Sequence, residues 1–457
     1  MPPSYSEALH SLYALGHELH RTPTHKFELA HVRTLLAALG NPERYFKSVL
    51  IAGTNGKGST AATLASILAC AGHRTGLYTS PHLVRPNERL KVNGSDINDD
   101  SFASAFARVE ETAVRLVSEG ALPWHPSFFE MLTAMAFVHF REQSVELAVL
   151  EVGMGGRLDA TNVVDPLVSV ITDISLDHQQ FLGNTIREIA REKAGIIRPG
   201  GVVVTLPQHP EANDIIGNTI LELGARGVSA VQYVPPVSPG AAKYTAATQV
   251  HHPERIEESA VRNRYPLEVM GEQILVDSPL PGRHQLRNLA LAIATAEQLN
   301  AQGVNVTPKD IERGIRETRW AGRFQVLPRR SGWPEVILDV AHNAAGAWAL
   351  RSVLSERYSE RPVTFVFGIM RDKAMAEVAQ VLFAAAERVI ATQPSGNPRA
   401  ATAEQVAEVA RNTVENVMVE PTVADALQRA RELTGENGVV VVTGSIYIVG
   451  EALQALT

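Results

Sequence analysis

The stretch IAGTNGKGST, residues 51–60, places three glycines, one lysine and two adjacent hydroxyls directly after a short apolar run. Those residue types suit phosphate. Gly53, Gly56 and Gly58 let main-chain N–H groups approach phosphate oxygens, and Lys57 supplies positive charge. Ser59 or Thr60 caps the helix that follows or reaches a Mg²⁺-bound phosphate. The spacing misses the common phosphate loop G-x-x-x-x-G-K-[ST] twice, because only two residues separate Gly53 from Gly56 and Gly58 intervenes between Lys57 and Ser59. A glycine-rich turn with a solvated lysine is the plain alternative, but three glycines around a lysine exceed what a tight turn needs.

Further polar residues fall just after strand-like runs, where open parallel sheets bind ligands. Ser80 follows TGLYT, Glu151 ends ELAVLE, and Asp177 and His178 come shortly after LVSVIT. One hydroxyl, one carboxylate and one imidazole beside a nucleotide loop can form part of a Mg²⁺ shell, with phosphate oxygens and water supplying the rest. Taken singly, Ser80 also reads as a turn former before Pro81, Glu151 as a strand-end ion pair and His178 as a loop or core histidine. Lys193, in REKAGIIRPG, reads as an ordinary helix-end lysine. Ser127 and Glu130 in SFFE form the S-x-x-E pattern that caps a helix. Arg323 in WAGR and Asp339 in LDVAHN suggest either a nucleotide cleft or an interdomain salt bridge. His251 and His252 lack acidic or cysteine neighbours at ligand spacing and are not assigned to a metal.

The elements that must hold these residues are legible as alternation. Apolar runs of four to six residues alternate with helical patterns, the βαβ signature of a doubly wound sheet. Strands are expected at SVLIA (48–52), TGLYT (75–79), ELAVLEV (146–152), LVSVIT (167–172) and GVVVT (201–205). After a helix near 211–223, RYPLEVMGEQILVDS alternates around Gly271 as an antiparallel hairpin appended to this unit. Helices near 285–300 and 308–318 close it. A second alternation begins at EVILDV and ends at GVVVVTG, which predicts a smaller C-terminal Rossmann-like α/β domain. The joint is placed in RETRWAGRFQV, dividing the chain into 1–318 and 319–457.

At 457 residues the chain is long enough for two cores. Its 45% apolar and 20% charged residues describe a soluble globular protein, and a net charge of −7 leaves no basic footprint for nucleic acid. The beginning MPPSYSEALH carries no targeting pattern, and no apolar run is long enough to span a bilayer, so a cytoplasmic, membrane-free protein is expected. The single cysteine, Cys70, excludes an internal disulfide and lies on an apolar helical pattern, which predicts core packing.

The loop form G-T-N-G-K-G-S-T, together with TSPHL, EVGMGGRLDATN, the Asp177–His178 pair, EKAGI and DVAHN in the same order, resembles the folylpolyglutamate synthase and dihydrofolate synthase family of the Mur ligase superfamily. The likeness runs from residue 26 to residue 343. It implies a P-loop, ATPase-like first domain and an ATP-dependent ligase that joins L-glutamate to folate or dihydropteroate through an acyl phosphate. It assigns Asn55, Gly56, Lys57, Gly58, Ser59, Thr60, Asn288, Arg323 and Asp339 to ATP, and Ser80, Glu151 and His178 to Mg²⁺. Lys57, Lys193 and His342 become the catalytic candidates, with Lys193 matching a lysine the family carries as a carbamate and K⁺ a further candidate cation. The pterin side falls to Glu28, Leu29 and Ala30, to Ser127, Phe128, Phe129 and Glu130, and to Leu158, Asp159 and Ala160. Family members that also make dihydrofolate carry D-L-G where this chain reads Glu28, Leu29 and Ala30, whereas LGNP and SFFE fit a bacterial bifunctional enzyme. The likeness also implies a monomer. A competing reading is a P-loop ATPase switch that needs no amino-acid acceptor.

Overall fold

A computed structural model describes residues 3–16, 28–236, 262–328 and 332–456. His251 and His252 lie outside the described residues. Among the described residues the first unit is built on an eight-stranded sheet: β1 (Lys47–Ala52), β2 (Thr75–Tyr78), β3 (Leu90–Val92), β4 (Ser95–Asp96), β5 (Leu147–Glu151), β6 (Val168–Ile171), β7 (Val202–Thr205) and β8 (Arg226–Ser229). Their order is β4-β3-β2-β5-β1-β6-β7-β8, with β3 and β4 antiparallel and the remaining neighbours parallel.

Strands β1, β5 and β6 are apolar almost throughout because helices cover both faces of the sheet. Successive side chains therefore enter two different cores. Leu50 and Ala52 pack with Leu150 and Ile171 beneath the helices Leu29–Ala38, Asp99–Ser118 and Phe128–Glu142. Val49 and Ile51 pack with Val149 and Val170 beneath the helices Lys57–Cys70, Arg283–Ala301 and Pro308–Glu317. That second core also receives the hairpin of β9 (Asn263–Val269) and β10 (Glu272–Ser278), through Val269, Ile274 and Val276. Met270 and Gly271 both have positive φ, as the tight turn between paired strands requires.

Among its described residues the second unit has six strands: β11 (Gln325–Val326), β12 (Glu335–Leu338), β13 (Val363–Phe367), β14 (Arg388–Ala391), β15 (Val417–Val419) and β16 (Val439–Thr443). They are ordered β11-β12-β16-β13-β14-β15, with β11 antiparallel to β12. Two further cores lie on its faces, one containing Phe365, Phe367 and Phe383 and the other Val366, Ile390 and Val442. The expected α/β class, with a hairpin appendage and a separate C-terminal sheet, is borne out.

Four strands were not expected from the sequence: β3, β4, β8 and β11. Each has four residues or fewer, too short to establish a period. The expectation for Cys70 is corrected. It ends its helix half-buried, with Sγ 3.4 Å from Glu317 Oε2, rather than in the core. Among the described residues no helix is long and apolar enough to cross a membrane.

Candidate functional site

Strand β1 lies between β5 and β6, so the connections that leave it diverge and open a crevice at its carboxyl end. Residues 53–60 cross that crevice. Gly56 caps the helix Lys57–Cys70 with φ +90°, and a Cβ there would meet Asn288 Oδ1 at 2.2 Å. The turn is held from β6: Thr54 N and Asn55 N donate to Asp173 O at 2.8 and 3.2 Å. Arg287 grips the Asp173 carboxylate at 2.5 Å and thereby ties the helix Arg283–Ala301 to the loop. Ser59 and Thr60 are buried at the helix start. Gln285 Nε2 donates to Ser59 Oγ at 3.4 Å, and Asn288 Nδ2 donates to Gln285 Oε1 at 2.8 Å.

Two lysines converge on this turn. Lys57 Nζ donates to Gly53 O at 3.1 Å and to Thr54 O at 3.3 Å, while Lys193 Nζ donates to the same Gly53 O at 2.7 Å. Lys193 comes from the helix Ile186–Ala194 and is 4% exposed. Burial, with Lys57 nearby, pushes its ammonium down to about 7, against the weaker pull of Asp177 and Asp159.

Glu151 is buried at the end of β5 and accepts from Ser80 N at 3.3 Å, after β2, where the Ser80–Pro81 peptide is cis. Burial holds its carboxyl above the usual range despite Lys57, the Ser80 N–H, Arg323 and Arg89. A bound cation would relieve that cost. His178 has φ +51° and heads the short helix Gln179–Leu182. Burial lowers its imidazole to about 4, with Asp177 opposing and Lys373, Lys57 and Lys193 reinforcing, so the ring is neutral as a metal ligand must be. A serine hydroxyl, a carboxylate and a neutral imidazole thus fit a Mg²⁺ ion that completes its shell with phosphate and water. Among the described residues no group of three or more His, Cys, Asp or Glu forms a cage for a metal.

The second unit contributes the facing wall. Asp339, just after β12, accepts from Phe324 N at 2.8 Å and from Ala341 N at 2.9 Å. Burial raises its carboxyl, with Arg323 the main opposing influence; burial likewise lowers Arg323, which Asp339 and Glu151 oppose. His342 lies 3.7 Å from Asp177 Oδ2, and Lys373 Nζ lies 2.5 Å from Asp177 Oδ1. Asn343 Nδ2 reaches Asn55 Oδ1 of the glycine loop at 3.1 Å. His284, lowered to about 4 by burial, with Arg323 adding to the effect, opens the helix that carries Asn288.

Beside this centre lies the expected pterin region. Ser127 and Glu130 form the capping box, with Glu130 N to Ser127 Oγ at 3.3 Å and Ser127 N to Glu130 Oε2 at 2.8 Å. Glu130 also meets His31 Nδ1 at 3.1 Å, and His31 stacks on Trp124. Phe128 is buried against Tyr13, and Phe129 sits near Tyr78. Asp159 is committed to its own loop, accepting from Thr161 N, Thr161 Oγ1 and Met154 N at 3.0, 2.6 and 2.9 Å. Leu158 and Ala160 flank it. Glu28 stands at the cap of the helix Leu29–Ala38 without a side-chain capping bond, and Glu28 and Ala30 are exposed. Asp173, Arg287, Asn343, Lys373, His284 and His31 were not singled out from the sequence. HQLRN and DVAHN contain three of them beside residues that were, whereas Lys373 and Asp173 gain meaning only through long-range contacts.

Two family models match the chain: the Mur ligase middle domain over residues 51–296 and the Mur ligase glutamate ligase domain over residues 322–446. A folylpolyglutamate synthase of Lacticaseibacillus casei is 32% identical over 455 residues, covering 99% of both chains. A dihydrofolate synthase/folylpolyglutamate synthase of Bacillus subtilis is 32% identical over 434 residues, 94% of each. Among solved structures, Escherichia coli FolC in complex with DHPP and ADP superposes with a TM-score of 0.79 at 30% identity, covering 99% of this chain and 98% of that one. The apo form of the L. casei enzyme gives 0.82 at 31% identity, covering 99% of this chain and 100% of that one.

Proposed function

Because the chain belongs to the Mur ligase family and, within it, to the folylpolyglutamate synthases, we propose that it is an ATP-dependent ligase that adds L-glutamate to tetrahydrofolates and to dihydropteroate. The observation that carries this reading is the juxtaposition of the glycine loop and Glu151, His178 and Lys193 with residues 339–343 of the second unit, joined through Asn55 and Asn343. A carboxylate oxygen of the acceptor attacks the γ-phosphorus of ATP, the bond to the β-phosphate oxygen breaks, and ADP leaves. The glutamate amine then attacks the acyl phosphate carbon and phosphate departs.

Lys57 steadies the transferring charge, and Asn55, Gly56, Gly58, Ser59 and Thr60 cradle the phosphates. Asn288, Arg323 and Asp339 hold the remainder of the nucleotide. Ser80, Glu151 and His178 would hold Mg²⁺, which would supply neutralisation of the phosphate charge, and K⁺ would be a second cation of this centre. Lys193 is proposed as a carbamate, because an amine lowered to about 7 is substantially neutral and able to take up CO₂ at cellular pH. His342 is the catalytic group offered by the second unit. The acceptor lies along Glu28, Leu29, Ala30, Ser127, Phe128, Phe129, Glu130, Leu158, Asp159 and Ala160, with Phe129 available to the flat ring and Asp159 shaping the loop. The units divide at 318/319, and the protein works as a cytoplasmic monomer without nucleic-acid or membrane partners.

The departure at Glu28, Leu29 and Ala30 favours a second reading, a folylpolyglutamate synthase without dihydropteroate activity. Supplying dihydropteroate or tetrahydrofolate as sole acceptor and analysing the products separates the two. Glutamylation of both is expected, and product from tetrahydrofolate alone would establish the narrower enzyme.

A further inference from the structure

Asp177 stands where the loops of the two sheets meet. Its carboxylate leaves the segment after β6 and reaches two groups of the second unit, Lys373 Nζ at 2.5 Å and His342 Nε2 at 3.7 Å. The side chains of Asp177 and Lys373 are 9% and 10% exposed, so this pair is almost out of water. A second link runs beside it, from Asn343 Nδ2 to Asn55 Oδ1. The neighbouring residue, His178, faces the same carboxylate at 3.9 Å.

Removing one partner of a buried ion pair strands the other as an uncompensated charge. In a single core that charge has no escape except unfolding. Lys373 belongs to a unit with its own sheet and its own two cores, so parting the units rehydrates it at lower cost. The pair therefore couples electrostatics to the width of the cleft.

We propose that Asp177 is a positioning residue that docks the second unit. By gripping Lys373 and His342 it seats residues 339–343 and 370–373 against the glycine loop and closes the joint over the phosphate-transfer centre. It acts through those residues and not on the reacting atoms. Closure matters because an acyl phosphate left open to water hydrolyses before an amine can capture it. That kinetic consequence rests on the ligase reading, whereas the docking itself does not.

The test uses full-length Asp177→Asn, Asp177→Glu, Lys373→Met and the double variant D177N/K373M, with small-angle scattering and steady-state kinetics on each. Asp177→Asn is expected to raise the radius of gyration and to lower kcat about a hundredfold, the scale of loss from displaced catalytic groups. Asp177→Glu restores part of both. Lys373→Met is expected to expand the protein as well, and the double variant, in which the same contact is lost once, to be no more expanded than either single variant, which a role for Asp177 outside this pair would not produce. An Asp177→Asn protein with wild-type radius of gyration would overturn the proposal, as would a double variant expanded by the sum of the two single variants. Scattering changes as expected in a protein that never ligates glutamate would sustain the docking and reject the ligase reading.

Discussion

Gly53 O is a single acceptor shared by two lysines, and the two differ in what burial does to them. Lys193 is enclosed and lowered to about 7 from an ordinary value of 10.5. The unfolded chain therefore binds a proton that the folded chain lacks between those values, and the stability contributed at this site rises with pH across that window. Its cost is fully present below about 7 and is relieved as pH climbs toward 10.5. In buffer freed of CO₂, where Lys193 remains an amine, Lys193→Met should accordingly stabilise the protein most below pH 7, with a gain that shrinks on approach to 10.5, as read from urea unfolding across that range. A gain independent of pH would contradict the assignment. In bicarbonate buffer, intact-mass measurement should show one added CO₂ on the wild-type chain and none on this variant, which would lack ligase turnover.

The turn between β1 and the helix Lys57–Cys70 is the element on which the centre depends. Gly56 combines a left-handed backbone with an Asn288 side chain lying where a Cβ would go. Gly56→Ala should cost about 2 kcal/mol from the strained φ alone, and displacement of Asn288 should raise the KM for ATP. Unchanged denaturation midpoint and unchanged KM together would show that the turn tolerates a side chain. This element was legible in the sequence because glycine, lysine and hydroxyl residues were concentrated between one apolar run and one helix. The placement of Ser80 and Glu151 was legible for a related reason, as polar residues at or just past the ends of apolar strands, and that of His178 as an imidazole in the segment after β6. Arg287 and Asp173 were not. Their bidentate contact joins residues more than a hundred positions apart, and nothing in either local sequence distinguishes it from a solvated charge. Cys70 misled because a helix apolar on several faces does not reveal which side its last turn presents. The short strands β3, β4, β8 and β11 follow their neighbours rather than any pattern of their own.

At the scale of the whole molecule, two sheet units present the carboxyl ends of β1, β5, β6 and β12 to one cleft. Asp339 faces Arg323, His342 and Lys373 face Asp177, and Asn343 touches the glycine loop. An ATPase switch could use the first unit alone, whereas a ligase must hold a third reactant and exclude water while the acyl phosphate waits. The arrangement of the two units favours the ligase. The most direct test is phosphate release from ATP measured with tetrahydrofolate and L-glutamate supplied singly and together. Release that requires both, matched by formation of one glutamylated product per phosphate, is the predicted result; release that proceeds equally well without either would contradict it.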